Sequence, residues 1–116
     1  MRIIAASVIL LLALSGSAFA HAHLDHATPK VGSTVSPPQE VVLWFTEKLE
    51  GAFSTIEVRN EQGVAMQAGK ASVTGDRTQL RVPLKVLPLG TYKVIWKVMS
   101  VDTHRTQGDF TFRVDR

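Results

Sequence analysis

Apolar and polar positions alternate along most of this chain with the period of two that marks a strand with one face in a core. Thr55-Ile56-Glu57-Val58-Arg59 alternates and runs into Asn60-Glu61-Gln62-Gly63, a hairpin signal with glycine at its close. Gln79-Leu80-Arg81-Val82-Pro83-Leu84 alternates again, and Pro83 argues for an edge strand or a strand end. Lys93-Val94-Ile95-Trp96-Lys97-Val98-Met99 follows the same pattern, and in Gly108 to Val114 the side chains of Phe110, Phe112 and Val114 share one face. Val41-Val42-Leu43-Trp44-Phe45 is instead a continuous β-branched and aromatic run, suited to a buried strand. Leu24 to Ala27 reads as a short first strand, and Val64 to Val73 as holding one more. Turn-rich stretches separate them at Thr28 to Ser33, Ser36-Pro37-Pro38 and Thr74-Gly75-Asp76.

Beyond the first twenty residues no segment sustains a helical period with caps. About seven short strands with turns between them predict an all-β fold, an antiparallel β-sandwich of immunoglobulin-like character. Pro88-x-Gly90-x-Tyr92 sets a tyrosine at the start of a late strand, where such a residue closes a sandwich corner. Tyr92 and Trp96 therefore read as structural, and Trp44 as core.

The one long apolar stretch outside this pattern is Ile3 to Leu14, with Arg2 ahead of it. As a helix of about 12 residues it would reach about 18 Å, against a hydrocarbon core of about 30 Å. Ala18 and Ala20 form an A-x-A processing site behind it, so residues 1–20 read as a cleaved export signal and 21–116 as one domain. No second hydrophobic span follows, which predicts a soluble mature protein without stable membrane association. A chain of this length buries roughly two-thirds of its unfolded surface and needs no staples. Cysteine is absent, so packing must supply the stability, and thiolate chemistry is excluded. Without Arg2 the balance is twelve basic against ten acidic residues, with no Lys/Arg cluster; a nucleic-acid partner is not expected.

Cleavage after Ala20 would make His21 the first residue, with a free α-amine and an imidazole together on one residue. His21, His23 and His26 crowd this new terminus, while His104 stands alone far along the chain, two residues after Asp102. In an extended segment residues two apart face the same side, so Asp102 and His104 could both turn to one ion. Histidine is the commonest protein metal ligand. Amine, imidazole and carboxylate without sulfur favour Cu(II), with zinc or nickel behind it. Taken alone, D-x-H is a weak motif that also fits a solvated loop. His23 has a competing use: behind a free amine, a histidine at position three can bind Cu(II) through the amine, two backbone amides and its ring. His26 reads as a surface residue. Arg105, Thr106, Asp109 and Glu47 are candidates for hydrogen bonds to the ligands.

With these residues in place the chain resembles the CopC-type periplasmic copper-binding proteins. His21-Ala22-His23-Leu24, Thr28-Pro29 and Gly32-Ser33 look like their mature start. Gly90-x-Tyr92-x-Val94-x-Trp96-x-Val98-x-Ser100-x-Asp102-x-His104, followed by Gly108 and Phe110-x-Phe112, is similar to their later strands. The resemblance spans essentially the whole mature chain. It implies a seven-stranded Greek-key sandwich and one Cu(II) ion held by the His21 amine and ring, Asp102 and His104, with His23 as a further candidate. It also implies a periplasmic carrier or buffer in copper homeostasis or resistance, often beside a CopD-like inner-membrane transporter. Some relatives add a methionine-rich loop for Cu(I), whereas the mature chain here has only Met66 and Met99, far apart. A Cu(II)-only, non-enzymatic monomer is therefore expected.

Two other readings compete. Copper oxygenases on sandwich folds also chelate copper through an N-terminal histidine, but they keep an open position for oxygen and a substrate platform. Asp102 would fill such a position, and the chain is short. A plain adhesion sandwich with incidental histidines is the third reading, since a fold does not fix function.

Overall fold

The computed structural model describes residues 22–116, so the expected leader at 1–20 and His21 lie outside the described residues. The strands are β1 (Leu24–Thr28), β2 (Thr34–Val35), β3 (Glu40–Phe45), β4 (Thr55–Arg59), β5 (Ser72–Thr74), β6 (Gln79–Pro83), β7 (Gly90–Met99) and β8 (Arg105–Val114). They form two four-stranded sheets of order β1-β3-β6-β5 and β2-β8-β7-β4. Every pairing within them is antiparallel except the two-residue β2, which runs parallel to β8. Seven principal strands and this short edge segment make the sandwich expected from the alternation.

The two inner faces meet in one core. Val41, Leu43 and Phe45 of β3 and Leu80 and Val82 of β6 face Val94, Trp96 and Val98 of β7 and Phe110, Phe112 and Val114 of β8. Aromatic edges join the sheets, with the Phe45 ring 5.1 Å from Trp96 in a T-shaped contact. Such pairs add about 0.5–1.5 kcal/mol beyond the area they bury. Trp96 fits because its cross-strand neighbour is Gly108. A Cβ there would stand 2.6 Å from Trp96 Cζ2. The Tyr92 hydroxyl donates to the Pro88 carbonyl at 2.6 Å, the sandwich corner expected from the sequence.

Several local expectations change. Pro83 ends β6, an interior strand of its sheet, so the proline marks a strand end and not an edge. Trp44 is half-buried and faces outward between Leu43 and Phe45, where its ring stacks on His26 at 4.3 Å. An alternating strand cannot point all five residues of an apolar run into one core. The stretch from Val64 to Val73 is mostly irregular. Single bridges tie Ala65 to Arg59 and Gln67 to Leu84 before β5 begins at Ser72. The last strand starts three residues before Gly108, at Arg105.

Candidate metal centre

The longest hairpin, β7 to β8, carries Asp102 and His104 at its tip. The Thr103 N–H donates to the Ser100 carbonyl at 2.9 Å, and the Ser100 N–H donates to the His104 carbonyl at 2.9 Å. Thr103 itself has a φ of 71°. A turn closed by an i to i+3 bond and followed by a left-handed residue is a standard three-residue hairpin loop. A β-branched residue is strained in that conformation, and such strain gathers at functional sites. Asp102 and His104 thus come together through a tight turn, not through the extended segment expected from their spacing. Their side chains meet with His104 Nδ1 3.3 Å from Asp102 Oδ1.

Ser100 holds this pair from below. It is 1 % exposed, and its hydroxyl donates to Asp102 Oδ1 while accepting the His104 N–H at 3.3 Å. The Ser100 hydroxyl, with His104 adding to it, holds the Asp102 carboxyl below the usual carboxylate range. Asp102 is therefore ionised at any pH near neutrality. Ser100 had no place among the expected neighbours. Its only signal was a serine two residues before the aspartate, at an inward position of β7. Of the neighbours that were expected, Arg105 and Asp109 are exposed on the outer face of β8. The segment before the 3-10 turn at Gly51–Phe53 braces the loop, with Val101 N–H donating to the Lys48 carbonyl at 3.0 Å and Glu50 N–H to the Met99 carbonyl at 2.8 Å.

Thr106 does something else. Its hydroxyl donates to the carbonyl of Ala22 at 2.7 Å across 84 residues of sequence. Ala22 is 0 % exposed and belongs to the core. His23, the next residue, is exposed; its N–H donates to the Thr46 hydroxyl and its carbonyl accepts the Thr46 N–H, both at 3.0 Å. The first described residues therefore span from the tip of the β7–β8 hairpin to the end of β3. His26 is farther along β1, bonded to Asp25 and stacked on Trp44, and is exposed as expected. The two methionines stay apart: Met66 packs against the core, and Met99 ends β7.

A first-row ion with bonds of about 2.0–2.2 Å separates neighbouring ligand atoms by about 2.8–3.4 Å. The 3.3 Å between His104 Nδ1 and Asp102 Oδ1 fits that span. The His104 side chain is 34 % exposed and that of Asp102 51 %, while the His104 Nδ1 atom facing the carboxylate is buried. Among the described residues no group of three or more His, Cys, Asp or Glu side chains converges on one point. The described residue tied to this hairpin through Thr106 is Ala22, which follows His21 in the sequence.

The described residues thus form a β-sandwich with a histidine–carboxylate pair at one end and Ala22 fastened beside it. The chain belongs to the CopC family, whose domain model matches residues 24–115. It is 38 % identical to copper resistance protein C of Xanthomonas campestris pv. juglandis over 97 % of this chain and 96 % of that one. The crystal structure of CopC from Methylosinus trichosporium OB3b superposes with a TM-score of 0.76 at 30 % identity, covering 82 % of this chain and 94 % of that chain. PcoC, a methionine-rich copper resistance protein from Escherichia coli, superposes with a TM-score of 0.74 at 32 % identity over 83 % of this chain and all of its own.

Proposed function

We propose that this protein is a copper-binding protein of copper resistance or homeostasis that works in the periplasm as a carrier or buffer. Export removes residues 1–20, and the mature chain begins at His21. One Cu(II) ion is held by the His21 amine and imidazole, the Asp102 carboxylate and the His104 imidazole. The observation that carries this reading is the bond from Thr106 to the Ala22 carbonyl. Consecutive Cα atoms are about 3.8 Å apart, and a strand advances about 3.3 Å per residue. A terminus one residue from Ala22 is therefore within reach of a histidine two residues from Thr106.

The donor set is hard, and the two thioethers of the mature chain do not meet, which supports a Cu(II)-only site. Membership of the CopC family supports copper as cargo and a CopD-like membrane protein as the recipient or source. It favours binding over oxygenase chemistry, and Asp102 takes a position that an oxygenase leaves for oxygen. No helix of the described residues is long and apolar enough to cross a membrane. The protein acts as a monomer.

A titration of the mature protein and its Asp102→Ala/His104→Ala variant tests the reading. Wild type should bind one Cu(II) tightly and surrender it to a Cu(I) chelator on reduction. The variant should lose the tight site while keeping its circular dichroism. Unchanged Cu(II) affinity in the variant sinks the assignment.

A further inference from the structure

The outer face of the second sheet, beside the hairpin tip, holds two cations and an aromatic ring that the metal centre does not use. In the β7–β8 register Lys97 lies opposite Gln107 and Met99 opposite Arg105, so Lys97 and Arg105 are diagonal neighbours on one face. Diagonal neighbours stand about 7–8 Å apart, within reach of long side chains, and like charges there repel. Both side chains are exposed. Neither makes an ion pair among the described residues. The acids of nearby segments do not answer them. Glu57 of β4 is held by Arg59 at 2.9 Å, and Glu50 by Arg77 at 3.3 Å. Asp109, two residues beyond Gln107 on β8, pairs with neither cation.

Phe53 closes this spot from the side. It ends the 3-10 turn Gly51–Phe53, in which no residue is buried, and it is 58 % exposed. The turn is fastened to the end of β7. The Ser54 hydroxyl donates to the Glu50 carbonyl at 2.8 Å and accepts the Met99 N–H at 3.2 Å. The Phe53 N–H donates to the same Glu50 carbonyl at 3.1 Å. The backbone beneath the ring is thus held in place, although the ring takes no part in the core. Phe53, Lys97, Arg105 and Gln107, with Val98 and Thr106, line a hollow of about 210 Å³. Arg105 follows His104 in the chain, and Thr106 is the residue that fastens Ala22. The hollow therefore borders the end of the sandwich where Asp102 and His104 meet.

We propose that this hollow docks an acidic segment of a protein partner, which sets an apolar side chain against Phe53 and carboxylates against Lys97 and Arg105. The inference rests on the copper-carrier reading for what the partner is: the protein that gives or receives the ion at the hairpin. The charge pattern selects this occupant. Arg105 offers a planar fork that matches a carboxylate, Lys97 a point charge and Gln107 an amide donor. Aromatic rings and arginines are enriched where proteins meet, and they dominate the binding energy there. An anionic membrane is recognised instead by a cluster of roughly four to eight basic residues. Here the cross-strand row Glu57–Ile95–Asp109 divides Lys97 and Arg105 from Lys93 and Arg113 farther down the same face. A continuous anionic surface would press against those two acids, whereas a short acidic segment seated in the hollow meets only the two cations.

The test titrates the Cu(II)-loaded mature protein against a capped, fluorescent hexapeptide of alternating glutamate and leucine, read by anisotropy. Amide NMR of the copper-free protein maps the contact. The peptide should bind and shift the amides of Phe53, Lys97 and Arg105, and its glutamine counterpart should not bind. Raising the salt from about 0.01 M to about 0.15 M should weaken binding, because the Debye length contracts from about 30 Å to about 8 Å. Lys97→Gln/Arg105→Gln should weaken it about tenfold. Phe53→Ser should weaken it too, with the salt dependence of wild type. Absence of peptide binding, shifts confined to another face, or unchanged affinity in the double variant overturns the proposal. Acetate binding as tightly as the peptide also overturns it, by making the hollow a site for free carboxylates. Sedimentation with phosphatidylglycerol vesicles that the double variant abolishes would overturn it in favour of a lipid surface. Peptide binding without a tight Cu(II) site would strike the copper reading and leave the docking surface standing. A tight Cu(II) site without peptide binding strikes the docking surface alone.

Discussion

At the scale of single residues, the hairpin pair is set up by two hydroxyls rather than by Asp102 and His104 alone. Ser100 bonds the Asp102 carboxylate, and Thr106 bonds the Ala22 carbonyl. Thr106→Val removes the second donor and leaves a backbone acceptor of a buried residue without it, at a cost of about 1–3 kcal/mol. Cu(II) affinity should drop about tenfold in a competition titration while the fold persists, because the terminus is no longer fastened. Equal affinity in Thr106→Val and wild type would show that the tether does not matter. The depressed Asp102 pKa gives a second expectation. A group lowered in the folded state keeps its charge, and whatever stability that charge contributes, from neutrality downward until the pH falls through the folded value. Asp102 therefore contributes no titration near neutrality. Copper affinity should still decline as the pH drops below about 7, because amine and imidazole donors must shed protons to bind. An affinity constant between pH 8 and 5 would contradict ligation by the terminal amine.

At the scale of elements, the strands that alternate cleanly were legible in the sequence, and the departures from alternation were not. Lys93 to Met99 and Phe110 to Val114 match their inward and outward faces position by position. The start of β8 was hidden because Arg105 and Gln107 are polar and the inward Gly108 has no side chain to mark a core face. The register slip between Leu24 and His26 could not be read from β1 alone, since it exists only relative to the partner strand β3. The turn at Ser100 to His104 was missed for a related reason: nothing in Val101-Asp102-Thr103 advertises a left-handed threonine. The pairing of Asp102 with His104 was legible, but the serine beneath them was not. Gly108, which hid β8, has a measurable role. Gly108→Ala sets a methyl against Trp96 and should destabilise the protein by about 1–3 kcal/mol in urea unfolding, with the slope unchanged. A wild-type midpoint would mean that the indole can move without cost.

At the scale of the whole molecule, the sandwich is a frame that brings two distant parts of the sequence to one end. Strands β7 and β8 carry the Asp102 and His104 tip, and the segment leading into β1 crosses from Thr106 in one sheet to Thr46 in the other. The paired inner faces make that frame without disulfides, so the first described residues are held by packing of Ala22, the Thr106 hydroxyl bond and the bonds between His23 and Thr46. On the proposed function, a protein of this design would acquire its principal ligand only when the leader is cut. The most direct measurement compares Cu(II) affinity and electron paramagnetic resonance of the chain beginning at His21 with the same chain carrying one additional residue before it. The account predicts that the added residue abolishes the tight site and changes the spectrum while leaving the fold unaltered. Tight binding with an identical spectrum in the extended chain would contradict it.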